Sequence, residues 1–266
     1  MDEVYLEAVG LSGPGLAGWE VSQPVLRGEQ SWQDQVLPRY KPALLAANER
    51  RRATASVRMA FGACEDAVGD RLEEARELAS VFVSSGGDYN THDQICRGLL
   101  TEPVMLSPTQ FHNSVHNAPA GYWSIATGSS APSVSLSAFD YGISAGLMEA
   151  LPLVALEQQS ALLVFFDVAP CAPMNQVRAV TRSFATALWL TPARSANSLA
   201  SLRLGLRGEA QYPETPASAA SLETLRLANP AARILPLLER LALGQGATLV
   251  FATSAGQSLL LQLDCL

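Results

Sequence analysis

His112 and His116 are spaced four residues apart in a stretch that reads as helical after Pro108, so both imidazoles would share one helical face, as ligands of a metal ion do. The rest of a metal site is missing. No glutamate sits between the pair as in HExxH, no third ligand suggests itself, and the only other histidine is His92, so no metal is expected. Asn113 and Asn117 accompany the histidines and read, from the residues alone, as ordinary polar groups of the surface or as helix caps. Ser137 has no GxSxG elbow around it and no later histidine to activate it. Asp140 lies between Phe139 and Tyr141, where a short β-like run gives way to an apolar helix; its carboxylate would cap that helix or, if drawn into chemistry, act as a general base. Cys64, Cys96, Cys171 and Cys265 form neither CxxC pairs nor a disulfide framework, which fits a reducing compartment.

Alternating strands and helices must position these groups. Val4 to Leu11 reads as an opening strand closed by Gly13, Pro14 and Gly15, and one long helix is expected from Leu44 to Val68, with Ala47, Ala55, Met59 and Ala63 at helical spacing. A strand from Ser80 to Ser84 runs into the turn Ser85-Gly86-Gly87-Asp88-Tyr89. Ser133 to Ser137 is β-like, Gly142 to Leu156 is an apolar helix carrying Ala145, Gly146 and Ala150, and Ala161 to Val168 reads as a buried strand whose unbroken Ala-Leu-Leu-Val-Phe-Phe run suits a strand covered on both faces. Strands follow at Phe184 to Thr191 and Leu199 to Leu206. Gly208 to Ser221 reads as a linker, Asn229-Pro230 starts an amphipathic helix over Ala231 to Leu243, and Ala247 to Thr253 and Ser258 to Leu263 form a hairpin turning at Ser254-Ala255-Gly256-Gln257.

Composition narrows the function classes. With 266 residues, 48% of them hydrophobic and 16% charged, a large core is readily built. A net charge of −7 excludes a general nucleic-acid binder, which needs a basic surface to neutralise phosphates. The chief basic cluster, Arg50-Arg51-Arg52, is expected on the solvated side of a helix. No signal-like N-terminus precedes Val4, and no apolar run is expected to cross a bilayer, so a cytoplasmic location is expected.

The stretch from Ser107 to Leu151 resembles the segment of β-ketoacyl synthases in which an Asn-bearing helix leads to a strand, a nucleophile turn and a buried helix. Leu136-Ser137-Ala138-Phe139-Asp140-Tyr141 lies without a gap on the family's Ile-Ser-Ser-Ala-Cys-Ala, so the family's cysteine falls on Asp140. The resemblance implies an α/β, thiolase-like fold: a synthase N-terminal half over 1–206, a linker over 207–228, and a reduced helix and hairpin over 229–266 in place of the second half. The family's two active-site histidines lie downstream of the cysteine, whereas none follows His116 here. Lacking nucleophile and histidines, such a chain would not condense acyl groups.

The likeness is greatest to short, cysteine-less chain-length factors of bacterial type II systems that make aryl polyenes. It implies a heterodimer with a ketosynthase, contact with acyl carrier protein mostly through that ketosynthase, and no cofactor. Phe139, Tyr141 and Ser137 would then line the pocket wall, with His112, Asn113, His116 and Asn117 at the border of cavity and interface. Two other readings stay open: a stand-alone acyl-thioester decarboxylase or hydrolase using Asp140, and a homodimeric scaffold that binds acyl carrier protein.

Overall fold

The computed structural model describes residues 3–207, 212–253 and 256–266. Its elements, in chain order, are β1 (Val4–Ser12), α1 (Trp19–Leu26), α2 (Ala47–Arg52), α3 (Ala55–Val68), α4 (Leu72–Ala75), β2 (Ala79–Ser84), α5 (Tyr89–Leu99), α6 (Pro108–Asn113), α7 (Ala118–Thr127), β3 (Ser133–Ser137), α8 (Gly142–Glu157), β4 (Ala161–Asp167), α9 (Met174–Val177), β5 (Phe184–Thr191), β6 (Ala200–Arg207), α10 (Ala220–Ala228), α11 (Leu235–Ala242), β7 (Ala247–Ala252) and β8 (Ser258–Cys265). The strands form one sheet in the order β3-β2-β4-β5-β1-β6-β8-β7. β2 runs parallel to β3 and β4, and the remaining pairings are antiparallel.

Side chains alternate across a strand, and here both faces are apolar. Phe82, Leu162, Val164, Phe166, Ala187 and Trp189 point to a core closed by α3 and α7, where Phe61 and Trp123 meet edge to face. Val81, Val83, Leu163, Phe165, Leu188 and Leu190 point the other way, into a core shared with α8, α10 and α11. Every residue of β2, β4 and β5 is buried. Two glycines let the helices close on this sheet. A Cβ on Gly10 of β1 would lie 1.9 Å from the Ala63 carbonyl oxygen of α3, and one on Gly146 of α8 would lie 2.6 Å from the Phe165 ring.

Four expectations are corrected. The helix expected over 44–68 is two helices, because Thr54 takes an extended conformation and caps α3, its Oγ1 accepting from the Val57 amide at 3.3 Å. The linker expected over 207–228 holds α10, which buries Leu222 and Leu225; residues 208–211 lie outside the described residues. The helix expected over 231–243 begins as a 3-10 turn, Pro230–Ile234, and becomes α-helical at Leu235, which leaves Pro236 in the first turn, where its missing N–H costs nothing. Phe139–Glu157 is, by length and composition, apolar enough to cross a bilayer, but half of it is buried within this protein. The hairpin is present, with its turn partly on residues 254 and 255, outside the described residues, and β8 pairs with β6 to continue the main sheet. Arg51 and Arg52 lie exposed on α2, as a solvated basic cluster would.

The two ends of the sheet differ. Beyond β7 the Thr215 amide donates to the Val250 carbonyl at 3.0 Å, Thr215 Oγ1 accepts from the Val250 amide at 2.8 Å, and Glu214 accepts from the Ala252 amide at 3.3 Å. β3 pairs with β2 on one side and, among the described residues, with no strand on the other. Leu100, Val104, Met105, Phe111, Val115 and Ile125 are large, apolar and exposed on the segments that lead from β2 to β3.

Gly146→Ala forces a methyl into the Phe165 and Val83 side chains at under 3 Å, so it should destabilise the protein by about 1–3 kcal/mol, read as a lowered urea midpoint at unchanged m-value.

Candidate functional site

Three strands end at one place. β2 passes into a turn in which the Ser84 hydroxyl accepts from the Gly87 amide at 2.9 Å and Asp88 caps α5 by accepting from the Thr91 amide at 2.9 Å. The glycine pair has a local cause. A Cβ on Gly86 would fall 1.9 Å from the Tyr89 hydroxyl, and Gly87 sits at φ +76 with His116 Nδ1 just 3.2 Å from where a Cβ would be. β3 delivers Ser137, whose hydroxyl donates to the Ser85 carbonyl at 3.0 Å, and β4 delivers Asp167.

Asp167 is the one carboxylate in an otherwise apolar, buried strand. It accepts from both the amide and the hydroxyl of Ser85, at 2.8 and 2.7 Å. Burial raises its pKa to about 7 against the partial relief of those bonds and of Arg178. Asn229 ties the C-terminal segment to the same spot: its side-chain amide donates to the carbonyls of Asp167 at 3.0 Å and Arg182 at 2.7 Å, and its oxygen caps the 3-10 turn at Ala231.

Asp140 lies in the 3-10 turn Phe139–Tyr141 that precedes α8. The expectation that it caps the helix is corrected, since α8 starts without a side-chain cap. Arg178 competes successfully for the carboxylate: it bonds Asp140 Oδ1 at 2.6 Å and lays its guanidinium 3.8 Å from the Phe139 ring centroid. Burial works against the Arg178 charge, yet the bond to Asp140 carries its pKa above the ordinary value. A pocket-like void between Ser85, Phe139, Ile143, Asp167 and Pro230 measures about 10 Å³, room for one water at most and far below an acyl chain.

The residues expected at the cavity border separate into two groups. α6 ends at Asn113, so His112 and His116 do not share a helix, and the paired-ligand geometry is corrected; no cluster of three metal-ligating residues occurs among the described residues. Asn113 is buried and donates to the Arg52 carbonyl at 3.0 Å. His116 bonds the Leu136 carbonyl at 2.8 Å, tying the α6–α7 connection to β3, while His112 packs edge-on to Tyr122 and Asn117 is exposed. A larger cleft of about 700 Å³ opens beside α3, and two of the acids that line it are already engaged: Glu65 accepts from the Ala43 and Leu44 amides, Asp66 from those of Leu11 and Trp19, while Asp70 is exposed. Sequence reasoning missed Arg178 and Asp167, and read Asn229 only as a helix start, without its bonds to the Asp167 and Arg182 carbonyls. A lone carboxylate closing an apolar run was a legible signal for Asp167; Arg178 carried none.

The family described as beta-ketoacyl synthase, N-terminal domain, matches residues 23–253. No curated protein matches the sequence. Among solved structures, a chain of the ketosynthase ApeO in complex with its chain length factor ApeC from Xenorhabdus doucetiae is 20% identical, with 98% of this chain and 100% of that chain covered at a TM-score of 0.71. A chain of the ishigamide ketosynthase/chain length factor is 12% identical, with 99% of each covered at 0.75. A chain of the AntDE:AntF structure, a type II acyl carrier protein in complex with its ketosynthase, is 12% identical, with 100% and 99% covered at 0.76. The three share the layered fold described above.

Removing one member of the Asp140–Arg178 pair strands a mostly buried guanidinium. Asp140→Ala should cost about 2 kcal/mol, less than for a fully buried pair because the carboxylate is 30% exposed, and adding Arg178→Met should recover about half of that loss in the same urea titration. For Asp167 the folded pKa lies above the unfolded one, so the native state holds the extra proton and stability falls as pH rises from about 4 to about 7. Asp167→Asn removes that slope: relative to wild type it should gain about 4 kcal/mol between pH 4 and pH 8, checked by urea midpoints across the range.

Proposed function

The chain belongs to the family of β-ketoacyl synthase N-terminal domains, and on that premise we propose that it is a non-catalytic chain-length factor, a subunit that pairs with a complete ketosynthase and walls part of its acyl chamber. The observation that carries this reading is the state of Asp140. It stands in the turn between a strand end and a buried helix, where an acyl enzyme of this family holds its nucleophile, and it is spent on Arg178 at 2.6 Å. A carboxylate is a poor nucleophile toward a thioester, and one whose oxygen is already held by a guanidinium is not aimed at a substrate, so the pairing counts against a stand-alone decarboxylase or hydrolase. Ser137 offers no substitute, since its hydroxyl donates to the Ser85 carbonyl and no histidine follows His116.

Pairing follows from what the fold leaves open. Among the described residues β3 has no strand on one side, and Leu100, Val104, Met105, Phe111, Val115 and Ile125, on the segments between β2 and β3, expose large apolar side chains. The ketosynthase would cover that end of the sheet, with His112, Asn113, His116 and Asn117 at the boundary and Phe139, Tyr141 and Ser137 turned toward its chamber. The solved chain-length-factor complexes that share this fold support the assignment, and we place the pair in a bacterial type II system that builds aryl polyenes. An acidic acyl carrier protein would reach the pair mostly through the ketosynthase. The hollow lined by Arg39, Lys41, Arg50 and Arg51 could add to its attraction.

Co-expression with each ketosynthase of its own organism, followed by size-exclusion chromatography with light scattering and condensation of malonyl-loaded carrier protein, tests the proposal. A one-to-one complex, active only with both chains present, is expected; a chain that stays a homo-oligomer and ignores every ketosynthase would overturn it.

A further inference from the structure

Among the described residues two that are not glycine have a positive φ, Gln158 and Phe139. Gln158 ends α8, a position where left-handed backbone is routine. Phe139 has no such reason. It sits at φ +51 in the middle of a turn, a conformation unfavourable for a bulky L-residue, and its ring is 55% exposed, so the strain is not repaid by burying the side chain in this protein.

The surroundings hold this conformation in place. Arg178, itself 9% exposed, stacks its guanidinium on the Phe139 ring at 3.8 Å and is fixed from behind by Asp140 at 2.6 Å. Val177, the residue that precedes Arg178, is 79% exposed and apolar. Phe139 also lies two residues past the end of β3, which among the described residues has no strand on its outer side. Aromatic residues and arginine are enriched at protein interfaces, and backbone strain clusters at functional sites.

We infer that Asp140, Arg178 and Phe139 form a preorganised knob that inserts the Phe139 ring into an apolar pocket of the partner subunit. The charge arrangement selects that chemistry. Arg178 already has its counter-ion in Asp140, so the partner supplies no carboxylate; a hydrophobic pocket rimmed by polar groups fits, and an acidic one does not. The inference rests on the pairing with a ketosynthase proposed above and names the residues that would make it strong.

The test uses the ketosynthase that wild type binds, with Kd by isothermal titration calorimetry and the melting temperature of the isolated chain. Phe139→Gly removes both ring and strain: the isolated chain should melt about 2–4 °C higher while Kd weakens about tenfold or more. Val177→Asp, at an exposed position, should leave the melting temperature unchanged and weaken Kd by a similar factor, and it decides the matter if Phe139→Gly folds poorly. Binding within twofold of wild type in either variant overturns the knob and marks the left-handed turn as inherited geometry. A wild type that binds no ketosynthase overturns the pairing itself, a distinct result.

Discussion

Covering one sheet on both faces is the constraint from which the remaining structure follows. β2, β4 and β5 have no solvent side, so every one of their residues must be apolar or individually satisfied, and two helical layers must come within contact distance of the same backbone. Small residues meet that demand. Gly10 admits α3 and Gly146 admits α8, each at a distance that even a methyl group would obstruct. Once both helices are seated, the strands can end in only one arrangement, and the turn after β2, the end of β3 and the end of β4 are brought together above the start of α8.

That convergence explains why polar groups deep in an apolar body persist. Asp167, where β4 emerges, is tolerable because Ser85 supplies two donors to it, and its backbone carbonyl is claimed by Asn229 from a segment more than 60 residues later. The C-terminal segment is thus integral to the site's floor, and the Asp140–Arg178 pair forms its rim. The Asp140–Arg178 pair and the Ser85–Asp167 hydrogen bonds occupy this turn, an arrangement suited to holding shape.

Much of this was legible in the residues. Strands betrayed themselves by unbroken apolar runs such as 161–166, and α8 by its small residues, because burial on both faces leaves so little choice of side chain. Local capping was harder: nothing in the run 44–68 announces that Thr54 would outcompete helix continuation, and α10 hides behind the polar composition of the loop preceding it. Asp140 was visible as a residue, but its role was not. Its partner lies 38 positions away on a loop with no periodic pattern, and a long-range pair of that kind leaves no trace in spacing.

The unequal ends of the sheet set a limit on assembly. Residues 214 and 215 already bond the backbone of β7, so that margin is closed to further strands, while β3, among the described residues, has no strand on its outer side. A sheet with one live margin and one dead margin can be extended once. Association by strand addition therefore terminates at a pair of chains and cannot propagate into a fibre, so the protein keeps a sticky edge without the aggregation hazard that two such edges would bring.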